Sequence, residues 1–270
     1  MKEKNQTIHS IQLHFKGHEG KHYSYQMASE FQGALMQAID SEYADKLHES
    51  GAHPYSQYLQ VDGLNITWTV NTLTKEAYDN VACPILDPRF RQVELKTHQD
   101  ILTVERKRSI GSNYDDLVKQ YYLGAGDPII HIRFLTPTSF KSNQQYCIFP
   151  TTRLIFQSLM MKFDASSDTS TIYSEDLVDQ FDRFASIVGY RLKSTLFYLA
   201  GARIPSFTGD VTIRVRGSRQ LANIARMLAA FGAYSGVGIK TGMGMGAMMM
   251  VEESTKESTK QSTKRSETIA

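Results

Sequence analysis

The stretch LNITWTVN, Leu64 to Asn71, alternates apolar and polar residues without a break. Leu64, Ile66, Trp68 and Val70 fall on one side, and Asn65, Thr67, Thr69 and Asn71 on the other. A period of two belongs to a β-strand with one buried and one polar face. Trp68 is therefore read as a core residue instead of a base-stacking platform. Upstream, Ile11, Leu13 and Phe15 repeat the alternation. Between these strands the period changes: Phe31, Leu35, Ile39, Tyr43 and Leu47 recur every four residues, an apolar stripe that predicts a helix of several turns. Downstream, Thr74 can cap a short helix carrying Ala77, Tyr78 and Val81, with Pro84 as its stop. Val93 to Arg106 reads as extended. The order of this half is β-α-β-β-α-β, the ferredoxin-like arrangement.

The second half repeats the pattern. Ile129 to Leu135 is an apolar strand, and Pro150 opens a helix with Leu154, Ile155, Leu159 and Phe163 facing one way. A polar loop, Asp164 to Ser170, precedes a helix with Leu177, Phe181 and Phe184 that the simple repeat does not require. Extended segments follow around Leu192 to Leu199 and Val211 to Val215. Ser218 caps an amphipathic helix carrying Leu221, Ile224, Leu228 and Phe231, which Gly232 is expected to end. Ala247 to Val251 is the last strand. The expected fold class is α+β, with two tandem ferredoxin-like (RRM-like) domains, residues 1–125 and 126–252, meeting near Gly124 to Asp127. Residues 253–270 repeat Ser-Thr-Lys every four positions with no apolar face, so a disordered tail is expected there.

Composition bounds the function class. The hydrophobic share of 41% suffices for a core in 270 residues, and the formal charge is +2. So small a net charge does not argue for a polyanionic partner, which needs a local basic patch. The two cysteines, Cys83 and Cys147, have no metal-ligand spacing and read as buried reduced thiols. There is no apolar run of signal-peptide or membrane-spanning type, so a soluble, cytoplasmic protein is expected, with no membrane partner.

The strongest chemical signal is SGVGIKTGMGMGAMMM, Ser235 to Met250, with Gly236, Gly238, Gly242, Gly244 and Gly246 between a helix and a strand. Such glycine density permits positive φ and lets backbone N–H groups face an anion, while Lys240 and Thr241 add a charge and a hydroxyl. The order GxxxxGK[ST] is absent, so this is not a P-loop. Two basic groups could grip phosphates: Arg106, Lys107 and Arg108, and Arg214 with Arg216 on the polar face of one strand. A solvated charged face explains either group equally well.

GVGIKTGMGMG is similar to the glycine-rich signature of the repeat-associated mysterious protein superfamily, and within it the chain most resembles the CRISPR precursor endoribonucleases of the sixth Cas family. FLTPTSFK (Phe134 to Lys141), YCIFP (Tyr146 to Pro150) and KLHESGAHPYSQY (Lys46 to Tyr58) carry the same resemblance. It implies binding of the CRISPR repeat in the precursor RNA and one cut leaving a 5′-hydroxyl and a cyclic phosphate. The family's catalytic histidine matches His48, and a nearby basic residue matches His53 after a one-residue shift. Some members carry a tyrosine where Met36 stands here, so Tyr55 or Tyr43 would have to take that part. The residue chemistry agrees: a histidine titrating near neutrality can remove or supply a proton, and a second cation can stabilise a charged phosphorane. No metal ion or organic cofactor is expected. The alternative is a non-catalytic CRISPR RNA-binding subunit of an effector complex, since superfamily relatives bind RNA without cutting it. A general RRM-like module fits less well, because the aromatic RNP1 pattern is missing.

Overall fold

A computed structural model describes residues 8–49, 53–124, 126–167 and 171–251, without the side chains of residues 48 and 49. The proposed tail lies outside the described residues.

The first half begins with β1 (Ile8–Lys16), α1 (Ala28–Ala38), α2 (Ser41–Glu49), β2 (Tyr55–Asp62) and β3 (Asn65–Thr72). It continues with α3 (Lys75–Ala77), a π turn at Tyr78–Ala82, α4 (Cys83–Leu86), β4 (Gln92–Leu95) and β5 (Asp100–Ser112). The strand order is β2-β3-β1-β5-β4, with every pairing antiparallel. Without the outer β4 this is the ferredoxin-like order, the first strand lying between the third and the last. Trp68 is fully buried with Ile11, Leu13, Phe31 and Val70.

The apolar stripe from Phe31 to Leu47 is buried as expected, but on two helices instead of one. Ile39 turns extended at φ −94° and ψ 164°, and Asp40 Oδ1 accepts from the N–H of Glu42 at 2.9 Å and of Tyr43 at 3.3 Å. That cap restarts the helix, and the two-residue break leaves the stripe on the same side. Removing the cap in Asp40→Ala is expected to cost about 1 kcal/mol, read as a lower midpoint in urea unfolding.

Thr74 caps α3 as expected, its Oγ1 accepting from Ala77 N at 3.1 Å. Pro84 does not stop the helix. It lies just after the π turn in one continuous helical run from Lys75 to Leu86, where the wider turn accommodates a residue that has no N–H to donate. The extended segment expected from Val93 to Arg106 is two paired strands joined by a turn with Gln99 at φ 47°. Cys83 is exposed and Cys147 half-buried, so the thiols are not core residues.

Residues 114–122 form α5 (Tyr114–Leu117) and a second π turn, Val118–Tyr122. Tyr114 and Leu117 pack in one cluster with Phe163 and Phe231 of the second half. That half runs β6 (Ile129–Thr138), the small hairpin β7 (Phe140–Ser142) and β8 (Gln145–Cys147), α6 (Thr152–Ser166) and α7 (Glu175–Phe184). It closes with β9 (Ala185–Leu199), β10 (Ala202–Val215), α8 (Arg219–Ser235) and β11 (Met248–Met250). The sheet order β11-β6-β10-β9 is ferredoxin-like again. β9 and β10 outrun their sequence expectation because Gly189 and Gly209 lie at bulges that keep the pairing going. Ser218 caps α8, which runs past Gly232 and ends at Gly236, where φ is 63°. The protein is α+β, two ferredoxin-like units in tandem. Among the described residues no helix is long and apolar enough to cross a membrane.

Candidate active site

The two halves meet over the start of β2. Ser56 Oγ donates to Tyr234 O at 2.6 Å, and Gln57 Nε2 to Ala28 O at 2.9 Å and Gly242 O at 3.2 Å. Gln57 is 1% exposed, and its Oε1 accepts from Trp68 Nε1 at 2.9 Å. The core tryptophan of the first sheet thereby fixes the amide that holds the glycine loop of the second half.

A cavity of about 710 Å3 opens at this junction. Gln32, Met36, Leu47, His53 and Tyr55 line it from the first half. Phe140, Lys141, α6 and loop residues Gly238 to Met243 line it from the second. The rings of His53 and Tyr55 lie 5.8 Å apart at 49°. His53 is exposed at the rim, whereas Tyr55 is buried. Burial raises the Tyr55 hydroxyl above its ordinary pKa, partly offset by its hydrogen bond with Gln32. It is therefore a proton-bearing donor at neutral pH. A Cβ on Gly242 would stand 3.3 Å from Tyr55 Oη and 3.6 Å from His53 Cδ2, which shows how closely the loop passes these two side chains.

The glycine loop serves two purposes. Lys240 (φ 58°), Thr241 and Gly242 face the cavity. Gly244 (φ +102°) instead packs on Ala28, and Gly246 (φ +71°) on Val237 O. The N–H groups of Gly238, Ile239 and Gly246 are bound to Ser158 Oγ, Ser139 O and Pro137 O. Much of the glycine content thus permits close packing within the protein.

His48 lies in the last turn of α2, and its side chain is outside the described residues. Its neighbour Leu47 lines the cavity. Tyr43 is not among the residues lining this cavity; it is buried in the first core, and burial pushes its hydroxyl up to about 12. The basic groups lie elsewhere. Arg106 and Arg108 are exposed on β5, with Arg106 Nη2 3.2 Å from His14 Nε2. Lys107 points to the other face, donating to Asp87 O at 2.6 Å over the Phe90 ring. Arg214 pairs with Ile129 at the start of β6, and Arg216 follows β10; both are exposed. The cavity begins at Phe140, past the other end of β6, roughly 30 Å along the strand.

Two cavity lysines escaped sequence reading, Lys141 and Lys162. Lys162 is on α6, whose cavity side carries Leu154, Ser158, Met161, Lys162 and Ala165, while Ile155, Leu159 and Phe163 fill the core. Its Nζ donates to Thr241 Oγ1 at 2.9 Å, and burial lowers its pKa to about 8. A lysine inside the apolar run LMMKF was the available signal.

The fold and this junction define a tandem ferredoxin-like protein with a cationic cavity between its halves. The family model of CRISPR-associated endoribonuclease Cas6 matches residues 132–248, spanning α6 and the glycine loop. A CRISPR-associated endoribonuclease Cas6 of Streptococcus thermophilus is 35% identical over 231 residues, covering 86% of this chain and 94% of that protein. One of Mycobacterium tuberculosis is 35% identical over 218 residues, covering 80% and 69%. Among solved structures, a Cas6 product complex reaches a TM-score of 0.76 at 22% identity, over 91% of this chain and 100% of that chain. A Thermus thermophilus Cas6 reaches 0.73 at 23%, over 91% and 98%. At those identities the structural likeness is one of fold. The chain belongs to the CRISPR-associated endoribonuclease Cas6 family.

Proposed function

We propose that this protein binds the repeat of CRISPR precursor RNA and cuts it without a metal ion, releasing guide RNAs to an effector complex. The observation that supports the reading best is the cavity at the junction. There His53 and Tyr55 of the first half face Lys240, Thr241 and Gly242 of the second, and Leu47 brings the end of α2 to the same wall. In this mechanism the RNA 2′-oxygen attacks the adjacent phosphorus, and its proton passes to a base. The bond from phosphorus to the 5′-oxygen breaks, and that oxygen takes a proton from an acid. The products are a 2′,3′-cyclic phosphate and a 5′-hydroxyl. His48 is assigned the main acid–base role, with His53 and Tyr55 as charge-stabilising and donating partners. Gly244, Gly246, Arg106, Lys107, Arg108, Arg214 and Arg216 complete the proposed RNA-binding set. The two arginine groups serve as phosphate contacts away from the cut, and the two glycines hold the loop in shape. The division of labour follows the halves: residues 1–125 carry the histidines, and 126–252 the glycine loop.

Cleavage of the cognate repeat is expected to proceed at an unchanged rate in excess EDTA. A repeat with a 2′-deoxy sugar at the cut should bind and stay intact, because it lacks the nucleophile. Activity lost in EDTA and restored by magnesium, or a 3′-hydroxyl product, would overturn the mechanism. Binding without any cut would instead mark a non-catalytic RNA-binding subunit.

A further inference from the structure

Lys162 stands apart from the other lysines among the described residues. Its ammonium lies half-buried against the cavity wall, tethered to Thr241 Oγ1 at 2.9 Å. Among the described residues no carboxylate pairs with it, and no Asp or Glu lines the cavity. A cation withdrawn from water without a counter-charge is costly, and a cavity wall is where a ligand can supply that counter-charge. An ammonium has three donors, so bonding to Thr241 leaves capacity for an incoming oxygen. The tether also aims it: α6 holds the side chain on the cavity stripe, and Thr241 belongs to the loop stretch that passes His53 and Tyr55. Charge, position and spare donors all suit an anion placed between the two halves.

Building on the endoribonuclease reading, we propose that Lys162 is a catalytic residue of that reaction, the cation that binds a non-bridging oxygen of the scissile phosphate and stabilises the phosphorane. Lys162 keeps its proton throughout; the proton transfers to and from the 2′- and 5′-oxygens belong to the other groups. The second half then contributes to the chemistry as well as to binding. The ammonium acts in a site partly closed to water, where a fixed charge is worth more than at the surface.

Among the described side chains, the other titratable groups on the cavity wall are His53, Tyr55, Lys141 and Lys240. Tyr55 titrates above its usual range, whereas burial brings Lys162 to about 8. The active form is the protonated one, so activity should be present below pH 8 and fall as the pH rises through that value. Bound phosphate favours the ammonium, so the fall should appear at higher pH with saturating enzyme than with limiting enzyme.

The test is single-turnover cleavage of the repeat from pH 6 to 9.5, for wild type, Lys162→Met and Lys162→Arg, beside binding titrations with the 2′-deoxy repeat. Lys162→Met is expected to slow cleavage by about 10²–10³-fold, with affinity changed less than roughly tenfold because many phosphate contacts lie elsewhere. Lys162→Arg should restore part of the rate and abolish the fall near pH 8, since guanidinium stays charged. A wild-type rate in folded Lys162→Met would overturn the proposal, as would a loss explained wholly by affinity. Should Lys162→Met fail to fold, the other proteins decide: a wild-type profile flat to pH 9.5, or one that Lys162→Arg leaves unmoved, also overturns it. Wild-type protein that never cuts the repeat would defeat the endoribonuclease reading itself, a result distinct from all of these.

Discussion

His48→Ala is expected to slow the chemical step by about 10²–10⁴-fold, the usual worth of a positioned acid or base, while repeat affinity changes little. His48 sits in the last turn of α2, directly after Leu47, whose side chain reaches the cavity wall, and five residues before His53 at the rim. The first-half core is built from Phe31, Leu35, Tyr43, Leu47 and Trp68, none of which the substitution alters. The variant should therefore fold. Binding energy comes from many phosphate and base contacts, so the loss should appear in rate under saturating enzyme. His53→Ala should cost less, because an exposed ring beside Tyr55 can add charge without being the main proton carrier. A His48→Ala protein that cuts at the wild-type rate would remove the central residue of the proposed mechanism. Equal losses for both histidines would instead indicate that they share the acid–base work.

Gly246→Ala is expected to destabilise the fold of the second half severely. Gly246 holds φ +71°, and a Cβ there would lie 2.1 Å from Val237 O, a backbone atom that cannot swing aside. Its N–H donates to Pro137 O at 3.0 Å and its carbonyl accepts from Val237 N at 2.8 Å, so the loop cannot yield without breaking both bonds. Backbone strain and overpacking together should cost on the order of 3–5 kcal/mol, a large part of a typical domain's stability. Urea unfolding followed by circular dichroism reads this directly. Gly242→Ala is the informative partner. Its Cβ meets Tyr55 Oη at 3.3 Å and His53 Cδ2 at 3.6 Å, contacts that side chains can relieve by a small shift. That variant should stay folded and lose cleavage by crowding the cavity. A Gly246→Ala protein as stable as wild type would refute the packing account of the loop.

Much of the architecture was legible in the amino-acid sequence because it depends on short-range patterns. The alternation from Leu64 to Asn71 placed Trp68 in the core, Thr74 and Ser218 announced their helices, and both halves showed a ferredoxin-like order. Each signal spans a few residues: the alternation of a strand and the cap of a helix are written in adjacent positions, whatever later packs against them. The glycine-rich run before the last strand carried the family resemblance for the same reason: it is one contiguous segment.

Tertiary structure decided the rest. The break at Ile39 and Asp40 is invisible in a four-residue period, because the stripe stays on one face whether or not the helix is interrupted. Gly189 and Gly209 lie outside the extended segments expected around Leu192 to Leu199 and Val211 to Val215, and only the pairing shows them at bulges within longer strands. Lys162 passes in sequence as a charge on an amphipathic helix; its character comes from Thr241, 79 residues away, and from a cavity that closes between the halves. The glycines divide in the same way, Gly242 toward Tyr55 and His53, Gly244 and Gly246 into the protein. Composition can show that a backbone is free to bend, but the direction in which it bends is set by what packs against it. For the glycine loop that includes Gln57, 185 residues earlier in the chain and anchored by Trp68.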